Sequence, residues 1–341
     1  MKIDRRRLII TGVIFVFVAF LSLYRLPFYI YQPGGADALN PVVSVNSGYK
    51  SEGDMHLVTV SGSQATPISY LLGKIRSHYD VLPIEEVFPE GMDKDAYFEA
   101  QLQMMESSQQ ASTVVAYTAA DKQIDIDYKG VYVVSVIEGM PAEGILKSGD
   151  KITKVNDKDI EQTDDLIDYV SSQDAGETIS ITVDREGEIL TKEIQLEAFP
   201  NMENKVGVGI QLVTEREVEV EPKVEFASGN IGGPSAGLMF SLEIYDQLTK
   251  EDITKGYQIA GTGEISYAGE VGRIGGIDKK VIAADEEGCD IFFAPNEGGR
   301  DGSNYQIARE TAEEIGTDMK VIPVDTFQDA LNYLQQLEAK S

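Results

Sequence analysis

The sequence predicts an α+β, multidomain chain behind an N-terminal transmembrane helix. Three observations carry that reading. An apolar run follows Arg5-Arg6-Arg7 at the start of the chain. Strand-like and helix-like segments then succeed one another. At 341 residues, the chain has room for two or three domains. Its hydrophobic fraction of 42% and charged fraction of 25% suit a globular protein with a real core.

Each element has a local reason. From Leu8 to Leu23 the chain is mostly apolar, Arg25 interrupts, and Leu26 to Tyr31 is again apolar and aromatic. A bilayer-crossing helix needs about 20 apolar residues. Leu8 to Tyr31 meets that need if Arg25 snorkels and Tyr24, Phe28, Tyr29 and Tyr31 form an aromatic belt. A cleaved signal peptide would show a short core and a small-x-small site; tyrosines and Arg25 stand there instead. The arginines keep the N-terminus cytoplasmic, so the expected location is the cell membrane, single-pass, with the remainder extracellular. Gln32 to Pro41 reads as a turn-rich linker, Asp54 to Ser61 as a strand, and Asp95 to Ala120 as one long helix.

Composition excludes several functions. A formal net charge of −28 argues against nucleic acid. One cysteine, Cys289, allows no intramolecular disulfide or multi-cysteine metal site. The two histidines, His56 and His78, fit no HExxH pattern, so no metal is expected. No Gly-x-x-x-x-Gly-Lys-Ser/Thr sequence occurs, so no ATP or other cofactor is expected.

Gly130 to Leu196 reads as strand, turn, short strand, helix and hairpin. Its stretch "MPAEGILKSGDKITKVND" resembles a bacterial PDZ domain. The resemblance places a peptide-carboxylate loop on Lys129, Gly130, Val131 and Tyr132. It places a groove helix on Thr163 to Ser172, lined by Leu166 and Val170. Such domains add a peptide as an extra strand; an empty-grooved structural spacer is the alternative.

"GNIGGPSAGLMFSL" sets Ser235 among glycines where a buried helix begins, at about Ala236. A helix-capping serine belongs there. So does a nucleophile, because free N–H groups and the positive helix end make an oxyanion site. A serine nucleophile needs a base, and neither histidine has supporting context. On a helix from about Ile277 to Glu287, Ile277, Val281 and Ala284 share a face with Lys280 at its edge. Lys279 falls opposite and is expected in solvent. An inward lysine loses solvation, and its pKa drops towards neutrality.

"GPSAG" followed by "GTGEISYAGEVGRIGGIDKKVIAADEEGCDIFFAP" resembles the proteolytic domain of the Lon family of Ser–Lys proteases. The resemblance implies Ser235 as nucleophile and Lys280 as general base, with Thr262 orienting the lysine. Ile277 replaces a leucine of the family pattern. The amide of Ala236 is implied near the oxyanion. The order of anchor, PDZ and protease resembles the membrane-anchored PDZ/Lon-type serine proteases of Gram-positive bacteria.

The expected segments are 1–31 (cytoplasmic tip and anchor), 32–122, 123–198 (PDZ) and 199–341 (protease). Residues 32–122 are an extracellular segment that could supply the first strand and long helix of the Lon-type domain, which would make the PDZ block an insertion. The expected function is an ATP-independent serine endopeptidase cleaving extracellular peptides or unstructured proteins. Maturation of a signalling pheromone is implied by the resemblance alone. A PDZ scaffold with a dead protease domain and a protease served by a separate ATPase are the rivals. The oligomeric state, homo-oligomer included, is open.

Overall fold

The computed structural model describes residues 5–88, 94–199 and 205–340. Met1–Asp4, the tip of the expected anchor, lie outside them. The chain divides into two compact units. One comprises 1–123 and 220–341, the other 124–219. The second is thus inserted in the chain of the first. Residues 199–219, expected in the protease segment, include the strand that forms one border of the inserted unit.

In the larger unit a six-stranded sheet runs in the order Lys320–Val324, Ile291–Pro295, Gln258–Gly261, Asp54–Gln64, Phe28–Ala38, Asp80–Pro83. Gln258–Gly261 lies parallel to both of its neighbours, and helices Ile277–Glu287 and Asn304–Ile315 connect the strands on its side. These helices bury Ile277, Val281, Ala284 and Ala308 with Val58, Ala260 and Phe292. The helix Gly237–Leu248 has eleven buried residues, so it shows no polar face. Its polar groups are satisfied: Gln247 bonds Val43, Val45 and Glu243. Burial pushes the Glu243 carboxyl up to about 7.

Two N-terminal expectations are corrected. The helix is Arg5–Leu23, not a span reaching Tyr31. Among the described residues no helix is long and apolar enough to cross a membrane. Leu8 to Leu23 is about 24 Å of helix against about 30 Å of hydrocarbon. Phe28–Ala38 is a strand paired with Asp54–Gln64, with an irregularity between Pro33 and Ala36. The belt tyrosine Tyr29 is therefore a sheet residue, and the 32–41 linker is mostly strand. Alternation over Phe28–Tyr31 is masked because both faces are apolar.

In the inserted unit the sheet order is Ile210–Glu221, Gln123–Val136, Lys151–Val155, Thr178–Arg185, Glu188–Gln195. Val131, Ile152, Ile181 and Ile194 form its core. Buried Asp150 holds Arg185 through two hydrogen bonds of 2.6 and 2.7 Å, and that guanidinium keeps the carboxyl below its usual range.

Candidate active site

The serine loop is built by glycine and by the long helix Lys94–Ala119. Gly233 has φ +91°, a left-handed conformation that favours glycine. Its N–H donates to Gln101 O at 2.8 Å. Gly237 lets the long helix approach: a Cβ there would meet Ser108 Oγ at 2.8 Å and Ile265 at 2.6 Å. Ser108 donates to Pro234 O at 3.0 Å, and Ser112 to Gly237 O at 2.9 Å. Ser108, Ser112 and Gln101 were not singled out by sequence reasoning. The available signal was the cluster of serines, Ser107, Ser108 and Ser112, in a helix that goes on to the apolar residues Val114, Val115 and Ala116.

Ser235 does not cap the serine helix. The N-cap is the buried Ala236, without a side-chain cap. The Ser235 hydroxyl instead meets Lys280 Nζ at 2.6 Å. Lys280 also donates to Thr262 Oγ1 at 2.9 Å, and Thr262 donates to Ser235 O at 2.9 Å. Ser235, Thr262 and Lys280 thus form one closed network, with Thr262 fully buried and Lys280 4% exposed. Among the described residues no ion pair to Lys280 is recorded, and burial lowers its pKa from 10.5 to about 7. The lysine helix begins at Gly276, in a left-handed conformation against Val60.

Lys279 is corrected. It is 2% exposed, not solvated, and pairs with Asp80 at 2.7 Å and Asp278 at 3.0 Å. A helical wheel marks one face as buried; here the Asp80–Pro83 strand brings a carboxylate over a second one. His56 bonds Ala36 O and Gln258, and His78 approaches Asp278 and Glu314. The structure records neither against the serine.

The dyad opens on a groove of about 1230 Å³, walled by Tyr29, Tyr31, Tyr97, Phe98, Leu102 and Met105. The groove is mostly apolar, as ligand grooves are.

In the inserted unit the expected peptide loop is displaced. Gly130, Val131 and Tyr132 lie within the strand Gln123–Val136, which has a neighbour on each side. Val131 and Tyr132 pair with Ile152 and Lys151, and Lys129 pairs with Glu217 at 2.9 Å. A strand paired on both sides cannot receive a third. Leu166 and Val170, expected in a groove, are buried in the core. Of the sheet's two edge strands, Ile210–Glu221 is the one beside Gln123–Val136. It lies beside the helix Thr163–Ser171, where Thr163 N–H donates to Thr214 Oγ1 at 2.8 Å.

Comparison with known proteins finds a match in each unit. A PDZ domain model matches residues 101–196, and a model of the Lon protease (S16) C-terminal proteolytic domain matches 201–336. Lon protease of Metamycoplasma arthritidis is 34% identical over 109 residues, 32% of this chain and 12% of that protein. For Lon protease of Campylobacter concisus the identity is 38% over 100 residues, 29% of this chain and 11% of that protein. The chain therefore spans only about an eighth of the length of the relatives it matches. The PDZ domain of an SdrC-like protein from Listeria monocytogenes is 32% identical, covering 26% of this chain and 93% of that one, with a TM-score of 0.25. The chain thus joins a PDZ domain to a Lon-type proteolytic domain, the make-up of a PDZ/Lon-type serine peptidase.

Proposed function

We propose that the protein is an ATP-independent serine endopeptidase in which Ser235 is the nucleophile and Lys280 the general base. The observation that carries it is the 2.6 Å contact between Lys280 Nζ and Ser235 Oγ at a buried amine with a pKa of about 7. A neutral amine accepts the hydroxyl proton as Oγ attacks the scissile carbonyl. The resulting ammonium gives that proton to the leaving amine, and an acyl-serine remains. Water then attacks the ester, giving its proton to Lys280, and the serine is released with its proton restored. Gly233 and Gly237 amides are engaged with Gln101 and Pro234 carbonyls. The oxyanion donors are therefore assigned to the loop between them, with the Ala236 amide at the open helix end.

The substrates proposed are extracellular peptides and unstructured segments, secreted signalling peptides among them. The spacious, mostly apolar groove beside the dyad supports an extended chain as substrate, and the sequence carries no nucleotide-binding loop to drive unfolding. The PDZ unit would select peptides along the free edge of Ile210–Glu221. The catalytic unit is proposed to lie outside the cell, and attachment to the membrane to run through the apolar helix Arg5–Leu23, which falls short of a full span. Its exposed Val13, Phe15 and Val16 support this.

The test is cleavage of unstructured peptides without nucleotide, read by mass spectrometry, with covalent capture by a serine-reactive phosphonate. Capture at Ser235 and loss of cleavage in Ser235→Ala are expected. A folded Ser235→Ala protein that still cleaves removes the assignment. For location, Ser47→Cys in a Cys289→Ser background should react with an impermeant label on intact cells. Reaction only after lysis reverses the topology and favours a cytoplasmic enzyme with a partner ATPase.

A further inference from the structure

The helix Pro67–Ile75 is amphipathic the wrong way round. Ile68, Leu71, Leu72 and Ile75 stand at i, i+3, i+4 and i+7, the spacing of one continuous stripe. Such a stripe ordinarily faces a core. Here its members are 46%, 60%, 44% and 81% exposed. The buried side is instead marked by Gly73, where a Cβ would sit 2.8 Å from Val81. The helix is firmly begun, with Thr66 and Ser69 forming a capping box, so its phase is well determined.

Its surroundings indicate what covers the stripe. The helix packs against the N-terminal helix Arg5–Leu23, and Leu26 N–H donates to Ala65 O at 2.8 Å between them. Basic and aromatic groups rim it. Lys74 lies over the Tyr70 ring, Arg76 over Tyr79, and Arg25 donates to Gln64 O. The protein has 57 acidic side chains and a net charge of −28. Not one of those acids falls in 5–36 or in 55–79. The nearest acids recorded are Asp80 on the neighbouring strand and Asp278 and Glu314 against His78, past the end of the helix; an apolar stripe with a cationic, aromatic border on an acid-free stretch of sequence complements anionic headgroups over acyl chains.

We propose that the helix Pro67–Ile75 lies in the plane of an anionic lipid surface, with Ile68, Leu71, Leu72 and Ile75 at the acyl boundary and Lys74 and Arg76 among the headgroups. It is a second membrane contact that orients the catalytic unit, and it rests on the attachment proposed for Arg5–Leu23. Such a helix sits about 5–10 Å below the headgroup surface.

The chain contains no tryptophan, so one introduced residue reports its own depth. Leu71→Trp, Phe15→Trp and Glu310→Trp proteins, full length, are placed in phosphatidylglycerol-containing vesicles with lipids brominated at shallow or deep acyl positions. Retained hydrolysis of a small ester verifies that each variant is folded. The expected result is quenching of the Leu71→Trp protein by shallow bromine and of Phe15→Trp by bromine, with Glu310→Trp unaffected. Lys74→Glu together with Arg76→Glu should weaken quenching at position 71. Quenching at 15 but not at 71 overturns the docking proposal and leaves the attachment standing. Quenching at neither overturns both. A blue shift at 71 that follows protein concentration and ignores brominated lipid assigns the stripe to a second copy and overturns the lipid surface. Equal quenching at 71 in purely zwitterionic vesicles overturns the anionic preference.

Discussion

Lys280 must be inward to lose its charge and must still reach Ser235 to use the free pair. Both conditions hold at one residue, which makes pH the sharpest probe. The ammonium is the inactive form, so kcat/KM should rise with pH and reach half its plateau near 7. Lys280→Ala and Ser235→Ala should each lower kcat by about 10²–10⁴-fold or more. Stability is linked to the same proton. Between about 7 and 10.5 the unfolded lysine is protonated and the folded one is not, so stability rises with pH across that window. Below it the folded state carries a buried ammonium. Lys280→Met should therefore raise Tm most at pH 6 and progressively less towards pH 10, as calorimetry would read. Thr262 acts through the lysine. Thr262→Val removes the hydroxyl that accepts from Nζ and should lower kcat about tenfold or more, roughly 1.4 kcal/mol. It should also move the pH limb downwards, because the ammonium loses an acceptor. Thr262→Ser should restore both. An unmoved limb in the valine variant would make the threonine merely structural.

The lysine helix is held on two sides, and this changes what Lys279 predicts. Its ammonium is buried, whereas Asp80 is half-exposed and Asp278 a quarter exposed. Lys279→Ala should cost about 1–3 kcal/mol of stability, less than a fully buried pair. Activity should fall with it, because the Asp80–Pro83 strand pairs with the strand bearing Tyr29 and Tyr31 of the groove wall. Lys279→Met, which fills the same volume, should recover less of KM than of Tm. In the inserted unit the element that matters is the edge strand. Titrating isotope-labelled protein with a peptide bearing a free C-terminus should shift the amides of Ile210 to Thr214. Those of Val131 and Tyr132 should stay in place, since their strand is paired on both sides. The opposite pattern would restore the 129–132 loop.

For the molecule as a whole, the chain leaves the larger unit and returns to it on neighbouring strands. Gln123–Val136 and Ile210–Glu221 share a ladder, and Lys129 meets Glu217 across it. Replacing residues 124–219 with a short glycine–serine linker should therefore leave the larger unit folded, its ends already close. Such a protein should hydrolyse a small ester nearly as well as the intact enzyme, since Ser235, Lys280 and Thr262 all lie in that unit. Cleavage of long peptides should fall by about tenfold or more if remote binding helps the chemistry, roughly 1.4 kcal/mol. Equal losses on both substrates would make the PDZ unit a structural support.

The local sequence singled out Ser235 and Lys280 as candidates, and the fold brings their side chains together. Glycine marks a special backbone, and helical periodicity picks the lysine on the apolar face. Both signals depend only on near neighbours in the chain. Ser235 could still be read as a cap, because cap and nucleophile want the same helix end; the 2.6 Å contact from a residue 45 positions away separates the two. The rest of the site was decided by long-range packing. Ser108 and Ser112 lie more than 120 residues before the groups they hold. Lys279 was assigned to solvent because no wheel includes the Asp80–Pro83 strand. The PDZ loop was misplaced because strand order within a sheet is not written in the order of strands along the chain. The N-terminal apolar stretch looked continuous because hydropathy is a sum over residues. Sheet pairing divided it at Phe28, where the backbone's hydrogen bonds were better satisfied by the strand 54–64 than by one more helical turn.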